Sequence, residues 1–191
     1  MREEKNRIRQ ILRDRKAALI PAERLEKSTR ICRHVMETIR EGETVLAYTS
    51  KELEVNTAPL IDALLAAGNP VAVPIIQKED ISLRLSYIRS RSVLVPSTFG
   101  VPEPIGSEIP VQAGDITTIL LPMLGFDRTG ARIGYGAGYY DRFLEKNPDL
   151  KKIAIAFSCQ EIERLPVDAN DVRMDMIITE DGVVFSGPGM P

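Results

Sequence analysis

The stretch that most limits how this chain can fold runs from Ile119 to Leu144. It opens with a short apolar run, Ile119, Leu120, Leu121 and Pro122, which reads as the end of a buried strand. A turn punctuated by Asp127 and Gly130 follows, and glycine then recurs at alternate positions, Gly134, Gly136 and Gly138. Tyr139, Tyr140, Phe143 and Leu144 come directly after with helical spacing. A strand, a glycine-rich loop and a helix N-terminus together make an anion site. Glycine lets backbone N–H groups approach a phosphate with no Cβ in the way, and the helix start adds unpaired donors and roughly half a positive charge.

The spacing is neither G-x-G-x-x-G nor a loop ending in G-K-[ST], so the dinucleotide fingerprint and the Walker loop both fail. Alternate glycines alone are equally a flexible turn between strand and helix. The neighbouring residues argue for a ligand. Arg132 stands two residues before the first glycine, and Arg142 sits in the first helical turn, where a cation opposes the dipole. Asp141 offers a hard oxygen for Mg²⁺ beside bound phosphate. The combination points to a nucleotide–metal site.

Elsewhere the chain alternates helices and strands. Residues 3–19 read as a helix with Ile8, Ile11, Leu12 and Leu19 on one face, and Lys5 and Arg9 beside that stripe. Those cations either point into a cleft or form a solvated basic face. Pro21 starts a second helix, to about Arg40, with Leu25, Ser28, Cys32, Val35 and Ile39 on its buried side and Gly42 as its stop. Residues 44–49 form a strand, residues 50–56 the loop beyond it, and Thr57 opens a helix that Gly68 closes. Tyr48, Glu52 and Glu54 thus fall where open α/β sheets bind ligands, outside the carboxyl end of a strand. Further strands are expected at 70–75, 81–88, 151–157, 176–179 and 183–185. The proline-rich segment 96–112 reads as a long irregular loop, with Phe99 as a stacking platform or as a pin to the core. Asp171 is either a partner of Asp141 at a metal or a turn residue. This alternation predicts an α/β sandwich with a mainly parallel sheet.

Composition excludes several classes. The 191 residues suffice for one domain, and a formal charge of −2 gives no reason to expect nucleic acid or an anionic membrane as partner. Cys32 and Cys159 lack disulfide or zinc spacing. No apolar run approaches the roughly 20 residues of a membrane span, and the charged N-terminus carries no signal-peptide pattern, so a cytoplasmic protein is expected. The lone His34 lies opposite the apolar stripe of its helix, which rules out a Ser-His-Asp or Cys-His hydrolase.

Taken in order, several of these residues resemble the 5-formyltetrahydrofolate cyclo-ligase (methenyltetrahydrofolate synthetase) family. They are Lys5 and Arg9; Glu54-Val55-x-Thr57; Glu103-Pro104; the block from Arg132 and Ile133 through Gly134, Gly136 and Gly138 to Tyr139, Tyr140, Asp141 and Arg142; Gln160; and Pro166-Val167-Asp168-x-x-Asp171 followed by Asp175. The resemblance runs over nearly the whole chain, and the R-[LI]-G-x-G-x-G-Y-Y-D block is far more specific than any glycine pattern.

The resemblance implies an ATP- and Mg²⁺-dependent enzyme that converts 5-formyltetrahydrofolate to 5,10-methenyltetrahydrofolate and releases ADP and phosphate. It implies a three-layer α/β sandwich of the kind shared with sugar-phosphate isomerases and CoA transferases, as a single domain over 1–191 whose tail, 186–191, is frayed. A monomer acting on small molecules is expected, with no nucleic-acid or membrane partner. Arg132, Tyr139 and Asp141 would serve catalysis. Lys5, Arg9, Arg132, Ile133, Gly134, Tyr135, Gly136, Ala137, Gly138, Tyr139 and Tyr140 would bind ATP. Tyr48, Glu54 and Phe99 would bind folate together with Tyr135 to Tyr139, with Glu54 on the pterin, and Asp141 and Asp171 would hold the metal. Two positions depart from the pattern: Ala137 replaces a frequent glycine or cation, and Asn170 a frequent histidine. A sugar-phosphate isomerase without need of ATP and a non-catalytic ligand sensor are the rival readings.

Overall fold

The computed structural model describes residues 1–168 and 171–188; residues 169–170, Asn170 among them, and 189–191 lie outside the described residues. Four helices are present among them: α1 (Arg2–Ala17), α2 (Pro21–Met36), α3 (Ala58–Ala66) and α4 (Tyr139–Lys146). The strands in chain order are β1 (Val45–Leu46), β2 (Val71–Gln77), β3 (Ser82–Ile88), β4 (Val95–Pro96), β5 (Pro102–Glu103), β6 (Ile109–Pro110), β7 (Thr118–Leu121), β8 (Gly125–Phe126), β9 (Arg132–Ile133), β10 (Lys151–Ile155), β11 (Met176–Thr179) and β12 (Gly182–Ser186). Eight of them form one sheet in the order β12-β11-β10-β7-β1-β2-β3-β6. Its centre, from β11 to β2, is parallel, and both edges are antiparallel.

The side-chain period of two along each strand explains the layers. Val45, Val71, Val73, Leu120, Ile153, Ile155 and Ile178 face one side, where Ile31, Cys32 and Val35 of α2 and Leu60, Ile61 and Leu64 of α3 cover them. Leu46, Ala72, Ile119, Leu121, Ala154 and Ile177 face the other, beneath Phe143 and Leu144 of α4. Helix, sheet, helix is the three-layer sandwich expected from sequence. The helix α1 does not lie on either face. Leu12 instead packs with Leu124, Ala131, Ile133 and Leu165 in a small third cluster at one end.

Four local readings differ from the sequence. Leu25 is 59% exposed while Ile31 is fully buried, so the packed face of α2 is rotated from the one predicted. Ile11 is likewise exposed. The loop 96–112 is tied down: β4 pairs with β5, β6 pairs with β3, and the buried Glu103 accepts a hydrogen bond from the Ile76 N–H at 2.8 Å. At the end of the chain Ser186, expected in a frayed tail, belongs to β12, and the Gly187 N–H donates to the Asp175 carbonyl at 2.7 Å. No helix of the described residues is long and apolar enough to cross a membrane.

Candidate active site

The parallel strands all end on the same edge of the sheet, and the chain reverses its winding between β1 and β7, the switch point where open α/β sheets form a crevice. Beyond β7 the chain does not pass straight into the glycine loop. It first makes a hairpin, β8 against β9, around the Asp127–Gly130 turn. Asp127 fixes that turn from a buried position, accepting from the Thr129 N–H and hydroxyl and from the Leu165 N–H. Gln160 ties the base: its amide donates to the carbonyls of Met123 and Leu124, and its carbonyl accepts from the Phe157 N–H. An added Cβ on Gly125 would stand 2.9 Å from the Gln160 carbonyl and closer still to a Leu12 methyl, so this glycine is what lets α1 seat against the hairpin.

The hairpin delivers residues 134–138 over the crevice. Gly136 has φ +102° and Gly138, the residue capping α4, has φ +77°. Both are conformations that side-chain-bearing residues adopt only with strain. The loop separates two clefts. On one side lies a cavity of about 330 Å³ lined by Tyr48, Glu54, Ile76, Phe99, Pro122 and Arg132, together with residues 134–141 of the loop and the start of α4. On the other lies an open trench formed by Arg2, Lys5, Arg9 and Arg13 on one face of α1. Tyr135 and Gly136 line both.

In the cavity, the walls come from three separate segments. Tyr48 is buried and donates to the Val55 carbonyl at 3.2 Å, and the Thr57 hydroxyl donates to the Tyr48 carbonyl at 2.7 Å, which folds the β1 loop back on itself. Within that loop Glu54 Oε2 accepts the Lys51 N–H at 2.8 Å, and the residue lines the cavity. Phe99 holds φ +56°, a strained value that turns its exposed ring toward the Tyr139 edge, 6.4 Å between centroids, with the Lys78 ammonium 4.9 Å from its centre. Tyr140 packs between the two core clusters; burial first, then the charge of Glu54, pushes its phenol well above the ordinary range.

Arg132 is the most constrained cation at the site. Its side chain is only 4% exposed, it pairs through one amino group with half-exposed Asp141, and its Nε is buried with no partner among the described residues. Arg132 lines the cavity, and a buried donor without a partner is the kind of group a ligand oxygen satisfies. On the trench side, Arg9 Nε donates to the Gly134 carbonyl at 3.0 Å, and its guanidinium carbon would lie 3.5 Å from a Cβ on Gly136. The helix and the loop are therefore in direct contact.

The remaining expected residues sit as follows. Lys5 faces the trench, but its ammonium bonds Asp168 at 2.7 Å and Asp171 at 2.6 Å. Burial works against that charge, yet the two carboxylates outweigh it and raise the lysine pKa. Asp171 also accepts the Asp168 N–H at 2.7 Å, so it is engaged with Lys5 while Asp141 is engaged with Arg132. No group of three metal-ligating side chains occurs among the described residues. Glu103, Gln160 and Asp175 hold backbone rather than face the cavity. Sequence reasoning missed Lys16 and Lys51, which flank Tyr135; only the spacing of Lys16 on the basic face of α1 hinted at it.

The comparisons with known proteins agree with one another. Residues 1–180 match the model of the 5-formyltetrahydrofolate cyclo-ligase family. The 5-formyltetrahydrofolate cyclo-ligase of Mycolicibacterium smegmatis is 33% identical over 168 residues, spanning 77% of this chain and 87% of the relative. That of Escherichia coli K12 is 29% identical over 182 residues, 91% of this chain and 98% of the relative. The solved structure of 5,10-methenyltetrahydrofolate synthetase from Aquifex aeolicus superposes with a TM-score of 0.78 at 32% identity, covering 94% of this chain and 91% of that one. A second synthetase structure, from Mycoplasma pneumoniae, shares the fold at a TM-score of 0.70 and 24% identity, over 93% of this chain and 99% of that one. With a family match over nearly its whole length and relatives of one name on both counts, the chain belongs to the 5-formyltetrahydrofolate cyclo-ligase family of enzymes.

Proposed function

We propose that this enzyme closes the ring of 5-formyltetrahydrofolate to 5,10-methenyltetrahydrofolate at the expense of ATP, with Mg²⁺ bound beside the phosphates. The observation that carries the reading is the pair of clefts meeting at Tyr135 and Gly136, one mostly apolar with a carboxylate and one strongly basic. The apolar cavity suits a bicyclic pterin, with Glu54 accepting paired N–H groups from its aminopyrimidine edge and Tyr48, Phe99 and Tyr139 against its faces. A volume of about 330 Å³ takes the ring system and leaves the glutamate end outside. The trench suits a triphosphate, held by Lys5, Arg9 and the N–H groups of residues 133–140.

In the chemistry, the oxygen of the N5-formyl group takes the γ-phosphoryl group and ADP leaves; the N10 amine then attacks the formyl carbon and closes the ring, its proton passes to solvent or phosphate, and the C–O bond breaks to release phosphate. Phosphoryl transfer needs positioning and charge neutralisation more than covalent help. That suits a site with arginines and backbone donors and no histidine. Arg132, which lines the cavity beside the glycine loop, would meet charge on the transferring group, and its unpaired Nε supports that role. The donor set fits Mg²⁺, which binds proteins through one or two carboxylates and completes its shell with phosphates and water. Asp141, with one oxygen free, would hold it, and Asp171, now bound to Lys5, would be the second carboxylate. The metal would supply neutralisation of phosphate charge.

The test is to mix the purified protein with MgATP and 5-formyltetrahydrofolate and follow the near-ultraviolet absorbance of the methenyl product and the release of ADP. Turnover that requires both substrates is expected. Silence across a range of metals and pH would refute the reading and restore the phosphate-isomerase and sensor alternatives.

A further inference from the structure

Lys16 is a buried lysine that the chemistry above does not use. It lies in the last turn of α1 and is 4% exposed, a costly place for an ammonium unless it is held. It is held by one residue of the glycine loop. Its Nζ donates to the Tyr135 hydroxyl at 2.9 Å and stands 5.0 Å from the centre of that ring. The Lys51 ammonium approaches the same ring at 5.7 Å from the β1 loop, whose Glu54 is anchored on the Lys51 N–H. Burial lowers the Lys16 pKa, and the charge of Glu54 opposes that; Lys51 and Arg13 add to the lowering, and Cys159 works against it. Burial and then Glu54 push the Tyr135 phenol far above its ordinary value, so it keeps its proton.

Tyr135 is thus clamped from α1 on one side and from the β1 loop on the other, and it is part of the wall between the two clefts. Lys16 itself lines neither cleft; it stands behind the wall. We infer that Lys16 is a positioning residue that sets the pose of Tyr135 and thereby couples occupancy of the nucleotide trench to affinity in the folate cavity. The inference rests on the proposed function for the identity of the two ligands. Its physical basis is that a ring contacted by both ligands transmits whatever restricts it, and that Lys16 is the charged group restricting it from the helix that carries Lys5 and Arg9.

A merely structural lysine makes a different forecast. Replacing a desolvated ammonium by an apolar chain of similar length is neutral or stabilising when the charge does nothing else. The test uses Lys16→Met, Lys16→Arg, Tyr135→Phe and the Lys16→Met/Tyr135→Phe double variant. Three readouts are taken: kcat/KM for 5-formyltetrahydrofolate, the folate dissociation constant with and without MgATP, and the ¹³Cζ resonance of Tyr135, which reports the hydrogen bond at its hydroxyl. Lys16→Met is expected to shift that resonance, to lower kcat/KM about tenfold, and to shrink the effect of MgATP on folate binding. Lys16→Arg is expected to restore all three to within about threefold of wild type, and Lys16→Met in the Tyr135→Phe background to add less than about twofold. An unmoved Tyr135 resonance, unchanged coupling, or full additivity in the double variant overturns the inference. Should Lys16→Met fail to fold, Tyr135→Phe alone must reproduce the loss of coupling, and full coupling in that variant overturns the inference too. If the wild-type protein turns nothing over, the functional reading fails separately, while the Tyr135 resonance and the binding of MgATP still decide the role of Lys16.

Discussion

Gly136→Ala is the sharpest perturbation of the glycine loop, because its cost is calculable in advance. The residue holds φ +102°, and the nearest atom to an added Cβ is the Arg9 guanidinium carbon at 3.5 Å, an ordinary contact. Sterics therefore contribute little, and the penalty is the backbone strain of a side-chain-bearing residue in that region, about 1–2 kcal/mol. The strain has only two places to appear. If the loop stays, the folded state is destabilised and the thermal midpoint falls by about 2–8 °C for a chain of this size. If the exposed loop relaxes instead, stability is kept but the binding-competent conformation is depopulated, and MgATP affinity falls by about 5–30-fold. Gly42→Ala is the control: φ is +79°, open space surrounds the new methyl, and the residue lies in the turn between α2 and β1 and lines neither cleft. It should lower the thermal midpoint and leave nucleotide affinity alone. Calorimetry and MgATP titration on both variants decide the matter. Gly136→Ala with an unchanged midpoint and an unchanged nucleotide affinity would falsify the strain argument and the assignment of this loop to phosphate together.

Three further outcomes are expected. Asp141→Asn removes the charged partner of Arg132 and the free oxygen assigned to the metal, so kcat should fall about a hundredfold while the folate dissociation constant barely moves; a kcat within threefold of wild type, roughly, would show that the carboxylate serves neither metal nor arginine. Glu54→Gln keeps an acceptor for the Lys51 N–H but loses the charge-assisted bond to the pterin, so the folate KM should rise about tenfold with the MgATP KM unchanged; an unaltered folate KM puts the pterin elsewhere. Burial pushes the Cys32 thiol up to about 11, above its unfolded value, so its contribution to stability is complete below the unfolded pKa and is lost as pH rises toward 11. Iodoacetamide should accordingly label Cys32 far more slowly in the native protein than after unfolding, and equal rates would contradict its burial.

Much of the architecture could be read from runs such as Val71–Ile75, because a strand buried on both faces has to be apolar throughout. The continuous burial of β1, β7 and β11, and of the last three residues of β10, follows from the same rule. The β8–β9 hairpin was not readable: two-residue strands are shorter than any periodicity window, and its turn looks like any loop turn. The rotation of α2 was missed because Leu25 and Ile31 both fit a helical stripe, and only the sheet beneath decides which is covered. At the site, Tyr48, Glu54 and Phe99 line one cavity with the glycine loop. The pairing of Lys5 with Asp168 and Asp171 joins the two ends of the chain, and no local pattern announces it. Lys16 looked like any cation completing a helix dipole until the fold buried it.

The placement of α1 ties these observations into one account. A helix this rich in charge has little apolar surface to offer a sheet face, and it is fixed instead by Leu12 over Gly125 and by Lys16 on Tyr135. Its basic residues at 2, 5, 9 and 13 then fall along the trench because they repeat at helical spacing, and their charge is tolerated because that side stays open to water. The mostly apolar cavity forms on the far side of the loop, where β1, β2 and the residues after β7 supply its walls. The proposed reaction, which would join a heterocycle in the cavity to a triphosphate in the trench, needs both environments within reach of one another. Here their separation is a single strand of glycine-rich backbone, thin because it has almost no side chains, and positioned because the helix on its wet side grips it at Gly134 and Tyr135.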